Sequence, residues 1–236
     1  MQGKPCVVTL LCDDKYQWKY VENLQRAVDR NTTVDYDFVV LTDKTPSLRK
    51  TYDIPDGRRI MIPDDRIPIN GWWWKLWMFG KECREQIGED RPFLWMDLDT
   101  VIVDNIDPLL QLENFTILRD AYAHNQWGSG LMFVPPGVGY EVWSNFDSEV
   151  VQRGDLAGRR GGDQVYLRHL YNRGLFDAGD STHFQDEFPD KIRSFKVTSQ
   201  KVGQEKAHED AWIVFFHGRP RPHEVAELPW MVEHWR

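Results

Sequence analysis

Asp97 and Asp99 are the residues of this chain whose type and spacing most invite chemistry. They close the segment Phe93-Leu94-Trp95-Met96-Asp97-Leu98-Asp99-Thr100, where four apolar residues read as a buried strand and two carboxylates follow at i and i+2. Strand alternation would point both acids to one side. Carboxylates so close repel each other unless a proton or a cation compensates them. Hard oxygen ligands suit Mg²⁺ or Mn²⁺, which often complete their shells with a substrate's phosphates and water. The C-terminal end of a parallel strand is also where open α/β sheets bind ligands. A DxD by itself is weak evidence, because Asp is common in turns.

A second candidate lies far along the chain, at Trp212-Ile213-Val214-Phe215-Phe216-His217-Gly218-Arg219-Pro220-Arg221-Pro222. Another apolar run ends in His217, and two arginines follow between prolines. A neutral imidazole can complete the coordination of a divalent ion, and arginines grip phosphate oxygens through planar forks. The segment therefore reads as a diphosphate clamp. The plain alternative for His217 is an ordinary hydrogen-bonded histidine.

These residues need a scaffold, and the chain has the pattern of one. Cys6–Cys12, Phe38–Leu41, Ile60–Ile62 and Phe93–Met96 read as strands, with helical spacing over Tyr16–Asp29 and a helix-length segment over Trp72–Gln86. Thr116–Leu118, Gly130–Val134 and Trp212–Phe216 are further strands, and helices are expected near Tyr140–Val151 and Gly162–Tyr171. This alternation predicts an α/β domain with a mostly parallel central sheet flanked by helices. Pro135-Pro136-Gly137 is a break, Gly154–Gly162 reads as a loop, and Thr182–Asp210 is too polar to assign.

Composition narrows the partners. Among 236 residues, 29 Lys and Arg against 37 Asp and Glu give a net charge of −8, which disfavours nucleic acid. The early apolar stretch stops at Asp13-Asp14, too short for a signal core, and no run approaches a membrane span. Three cysteines, Cys6, Cys12 and Cys83, form no CxxC pair, and a reducing cytoplasm is the simplest home. A lipid-linked acceptor would put the protein at a membrane periphery. The 11 Trp exceed what a core of this size requires, so some aromatic surface is expected to meet a ligand. Trp73 and Trp77, or Trp74 and Trp77, would share a helical face, one subset packing inside and another lining a groove. Trp127, Trp230 and Trp235 are candidate acceptor contacts.

WMDLDTVIV (residues 95–103), GGDQVYL (161–167) and FFHGRPRPHEV (215–225) together resemble the GT-A glycosyltransferases, in particular glycosyltransferase family 8 and its bacterial and viral relatives. The resemblance runs in order over most of the chain and implies one Rossmann-like GT-A domain over residues 1–236. It implies a UDP-sugar donor, a Mn²⁺ or Mg²⁺ ion held by Asp97, Asp99 and His217, and transfer with retention to an acceptor hydroxyl. Gly218, Arg219 and Arg221 would meet the diphosphate. Thr9 would contact the base and Tyr16 stack on uracil. Lys75 matches a basic residue that reaches the donor. Asp163-Gln164 would lie near the transferred sugar and the reacting carbon, with Gly161-Gly162 allowing close backbone approach; Asp163 would serve as a helix N-cap in any case. The plain readings of Tyr16 and Lys75 are a packed helix-start aromatic and a solvated lysine. One departure stands out in Asn125-Gln126-Trp127-Gly128-Ser129-Gly130: Gly128 occupies the family's usual Asn position, which leaves the sugar open.

Two other classes compete. DLDTVI also fits an aspartate-nucleophile phosphatase, but that pattern belongs after an opening strand with a later acidic pair, and Gly179-Asp180-Ser181 is followed by His183 rather than an acid. A sugar-nucleotide or carbohydrate-binding module without turnover is the other.

Overall fold

The computed structural model describes residues 3–43, 57–63, 71–152 and 162–236. Strands β1 (Cys6–Leu11), β2 (Asp37–Thr42), β3 (Gly57–Met61), β4 (Phe93–Met96), β6 (Thr116–Arg119), β7 (Trp127–Val134) and β8 (Thr182–His183) form one sheet in the order β3-β2-β1-β4-β7-β6-β8. The strands β3, β2, β1 and β4 run parallel, β7 is antiparallel to both β4 and β6, and β8 is parallel to β6. A smaller sheet joins β5 (Thr100–Ile102), β10 (Ile213–Phe215) and β9 (Ile192–Ser194). The α/β architecture with a mostly parallel central sheet matches the pattern read from the sequence.

The inner strands are continuous apolar runs because both of their faces are covered. On β1, Cys6 and Val8 face one core while Val7 and Leu11 face another; on β4, Phe93 and Trp95 are separated from Leu94 and Met96 in the same way. The second core is closed by helix α1 (Trp18–Asn31), whose Val21, Leu24 and Val28 are buried. Helix α1 starts two residues later than expected, leaving Tyr16 in the turn after β1.

The single helix expected over Trp72–Gln86 is two elements: a 3₁₀ segment, Gly71–Phe79, and helix α2, Lys81–Ile87. The break falls at Gly80, where a Cβ would lie 2.6 Å from Cδ1 of Trp143. That ring stacks on Phe146 at 5.3 Å and leans on Trp74 at 6.2 Å, so withdrawing it would disturb both contacts. Gly80→Ala is expected to cost about 1–3 kcal/mol through overpacking. Urea unfolding measures this, and an unchanged midpoint would contradict it. Trp73, Trp74, Lys75, Leu76, Trp77, Met78 and Phe79 are all buried, which erases any helical face; Trp72 alone of the segment's four tryptophans stands out, 52% exposed.

Other boundaries move as well. The helix expected over Tyr140–Val151 is two short ones, Tyr140–Ser144 and Ser148–Gln152. The polar stretch from Thr182 holds β8, a helix over Phe184–Glu187, β9 and a helix over Phe195–Val202. Of the glycine-rich loop read at 154–162, and of the Gly161-Gly162 pair, only Gly162 lies within the described residues. Trp127 and Trp230 are buried in the core, and Trp235 packs edge-on against Tyr20, so none of the three lines a cavity beside Asp97 and Asp99. No helix among the described residues is long and apolar enough to cross a membrane.

Candidate active site

At the end of β4 the chain leaves the main sheet. It turns through Asp97-Leu98-Asp99, closed by Thr100 N–H donating to Asp97 O at 3.0 Å, and becomes β5 of the small sheet. The two acids therefore sit on the corner between the sheets rather than on a continuing strand. β5 pairs antiparallel with β10, which sets Thr100 opposite Phe215, and Phe216 N–H donates to Asp99 O at 3.0 Å. This pairing brings the chemistry-bearing segments around residues 97 and 217 together.

A buried cation organises the corner. Lys75 is 2% exposed, and its Nζ lies 2.8 Å from Asp97 Oδ1 and 3.1 Å from Asp163 Oδ2. It also donates to Ser129 O at 3.0 Å. Asp97 Oδ1 accepts a further hydrogen bond from Trp95 Nε1 at 2.8 Å. Burial alone would lower the lysine's pKa, but Asp163 and Asp97 outweigh it and hold the ammonium charged above its usual range. Lys75 is buried rather than solvated: it borders both cavities and ties the strand-end acid to the first residue of the helix Asp163–Asn172. That helix begins after Gly162, whose φ of 142° suits glycine. Asp163 makes no side-chain capping bond to its helix; its carboxylate is turned to the lysine.

Asp99 has the opposite balance. It is 8% exposed, and burial followed by the charge of Asp97 pushes its pKa up to about 6. The Tyr16 hydroxyl opposes this rise by donating to Asp99 Oδ2 at 2.6 Å. Tyr16, expected to stack on a base, has its ring against Tyr20 at 4.7 Å, with the Arg221 guanidinium 5.4 Å from its centroid. Tyr16→Phe removes the one hydrogen bond that favours the Asp99 carboxylate, so its titration midpoint is expected to move above about 6. Carboxyl ¹³C NMR titration of metal-free protein measures this; an unchanged or lower midpoint would contradict it.

His217 lines the same cavity as Asp97 and Asp99. Its Nε2, however, lies 2.7 Å from Ser194 Oγ, the N-cap of the helix Phe195–Val202, and its ring meets Tyr122 edge-on at 5.4 Å. Burial, then Lys196, holds its pKa below the ordinary histidine value, which favours the neutral ring. Among the described residues no group of three or more His, Cys, Asp or Glu side chains is gathered to hold a metal. Asp97, Asp99 and His217, the expected metal ligands, border one cavity, with the imidazole Nε2 hydrogen-bonded to Ser194. The two carboxylates alone fit a hard divalent cation that takes its remaining ligands from phosphate and water: they are close enough for one to raise the other's pKa, and both border the cavity.

Two adjoining cavities border these acids. The larger, of about 370 Å³, takes its wall from Asp97, Asp99, Asp163, Gln164, Tyr122 and His217 among others. The smaller, of about 160 Å³, lies against Leu10, Cys12, Tyr16, Leu98 and Trp72. Gly128 and Gly130 border the larger one, leaving space where side chains would intrude. Thr9 borders neither: it is fully buried in β1, and its hydroxyl has no hydrogen-bond partner among the described residues. Gly218, Arg219 and Arg221 also lie outside both walls. Arg219 pairs with Glu224 at 2.6 Å, Arg221 donates to Lys15 O at 3.2 Å, and Gly218 lies beside Lys196. The expected phosphate clamp is thus held against its own chain.

Sequence reasoning missed Trp72 as a cavity wall, Tyr122, Ser129, and the Tyr16 to Asp99 hydrogen bond. Only Trp72 carried a signal, as the first member of a tryptophan cluster that cannot all face one way on a helix.

No protein-family model matches the chain, and no relative was found among curated proteins. Solved structures do share its fold. The glycosyltransferase GlyE of Streptococcus pneumoniae TIGR4 is 14% identical with a TM-score of 0.62, over 97% of this chain and 62% of GlyE; its apo form gives 0.58, over 97% and 61%. A glycosyltransferase involved in glycosylation of the major capsid of PBCV-1 is 12% identical with a TM-score of 0.55, over 89% of this chain and 93% of that one. The chain spans less than two thirds of GlyE's length, and likeness at these identities shows the fold alone.

Proposed function

We propose that this chain is a glycosyltransferase that moves a sugar from a UDP-sugar to an acceptor hydroxyl, with retention at the anomeric carbon. The observation that carries the proposal is the convergence on one cavity of the strand-end acids Asp97 and Asp99 with the helix-start pair Asp163-Gln164, joined by buried Lys75. The fold shared with glycosyltransferases supports it.

In this reading the largely apolar smaller cavity takes the nucleobase, and the larger takes the sugar and the incoming hydroxyl. Asp97 and Asp99 would hold Mn²⁺ or Mg²⁺, which when bound offsets the charge on the diphosphate. Lys75 keeps Asp97 and Asp163 at fixed separation before any ligand arrives, which is preorganisation rather than direct contact. Asp163 and Gln164 orient the sugar. In the transfer the bond from the anomeric carbon to the diphosphate oxygen breaks, and UDP leaves with its electron pair. The acceptor oxygen forms the new bond, and its proton passes to the departing phosphate. Arg219 joins the diphosphate only after releasing Glu224.

The phosphatase reading keeps the objection from the sequence, that Gly179-Asp180-Ser181 is followed by His183 rather than an acid. The test is UDP release from UDP-glucose, UDP-galactose and their N-acetyl counterparts with Mn²⁺. Release from at least one is expected. Binding without release would favour the non-catalytic module, and neither binding nor release would overturn the proposal.

A further inference from the structure

Two large aromatic side chains on the wall of the larger cavity are left open to water. Trp72 is 52% exposed, although Trp73, Trp74 and Trp77 in the same segment are buried, and Tyr122 is 60% exposed. Both are held in place. A Cβ on Gly162 would lie 3.2 Å from Trp72 Nε1, so the indole rests against the residue immediately before Asp163 and Gln164. Tyr122 sits on a tight turn in which its own N–H and that of Ala123 donate to Asp120 Oδ1, at 2.9 and 2.8 Å. Its ring is buttressed edge-on by His217 at 5.4 Å.

We propose that Trp72 and Tyr122 form the acceptor subsite, and that the acceptor is an uncharged saccharide. This rests on the transferase reading. Sugar rings carry C–H faces that pack on aromatic rings and hydroxyl rims that need paired donors and acceptors. Here the two rings border the same cavity as Gln164, Asp120 and His217, which supply such groups. Charge decides the rest. The wall carries Asp97, Asp99, Asp120 and Asp163, while Lys75 is held by two of these acids and Arg119 by Asp186, leaving Lys15. An acceptor ring bearing a carboxylate or phosphate would meet an acidic wall.

The experiment uses the full chain and a UDP-sugar that it cleaves. UDP release in water is compared with transfer to the p-nitrophenyl α- and β-glucosides and galactosides, to p-nitrophenyl β-glucuronide, and to a Ser/Thr peptide. Transfer to a neutral glycoside is expected, with the glucuronide and the peptide poorer. Trp72→Ala and Tyr122→Ala should each lower the ratio of transfer to hydrolysis about tenfold, the worth of one ring contact, while Trp72→Phe and Tyr122→Phe largely restore it. Because the readout is a ratio, partial loss of folded protein does not imitate the effect. An unchanged ratio in both alanine variants, preference for the glucuronide or the peptide, or hydrolysis with no transfer to any glycoside would overturn the subsite while leaving the donor reading intact. Absence of UDP release from every UDP-sugar would overturn both.

Discussion

Lys75→Met is expected to lower the free energy of unfolding by about 3–5 kcal/mol, the usual cost of removing one partner from a buried ion pair. Methionine approximates the lysine stem, so the loss is not one of volume. It arises because Asp163, 6% exposed, and Asp97 would face each other without the ammonium between them. One control separates this from a packing defect: Lys75→Met with Asp163→Asn should recover part of the loss. Urea unfolding at pH 8 measures both variants. A loss below about 1 kcal/mol at pH 8 would mean that the pairing contributes little, as exposed ion pairs do.

Asp99→Asn is expected to stabilise the protein and silence it. The folded pKa of Asp99 is raised above its unfolded value of 3.8 to about 6. The folded state thus holds the proton more tightly, and stability falls as pH rises through this window. Asparagine escapes the penalty and can still accept from Tyr16. At neutral pH and without metal the variant should gain up to about 3 kcal/mol, and the gain should vanish below pH 4. Under assay conditions turnover should fall by roughly 10²–10³-fold, as for loss of one electrostatic stabiliser. Thermal unfolding at pH 4 and pH 7.5, beside UDP release, checks the pair of effects. Lower stability at pH 7.5 would show that burial and Asp97 do not disfavour the Asp99 carboxylate.

Much of the scaffold was legible because its strands are buried on both faces, so Cys6–Leu11 and Phe93–Met96 stand out as unbroken apolar runs. The 3₁₀ segment was not, since seven consecutive buried residues carry no period to distinguish one helix from another. In the site, the two acids and the helix-start pair were found from spacing and resemblance. The ion pairs of Lys75 could not be read: its partners lie 22 and 88 positions away by sequence number, and only the pairing of chain segments reveals that it faces inward. Nothing in the polar stretch after Thr182 announced that Ser194 would cap a helix and bond His217. Arg219 and Arg221 were read as free forks, although Glu224, three to five residues on, was in plain view as a competitor.

The central claim is that the corner carrying Asp97 and Asp99 receives the diphosphate of a sugar nucleotide together with a divalent cation. Isothermal titration of UDP into the protein with Mn²⁺, with EDTA, and into Asp97→Asn with Mn²⁺ tests it most directly. Binding in the first titration and loss of binding in the other two is the predicted result. Equal affinity in all three would contradict it.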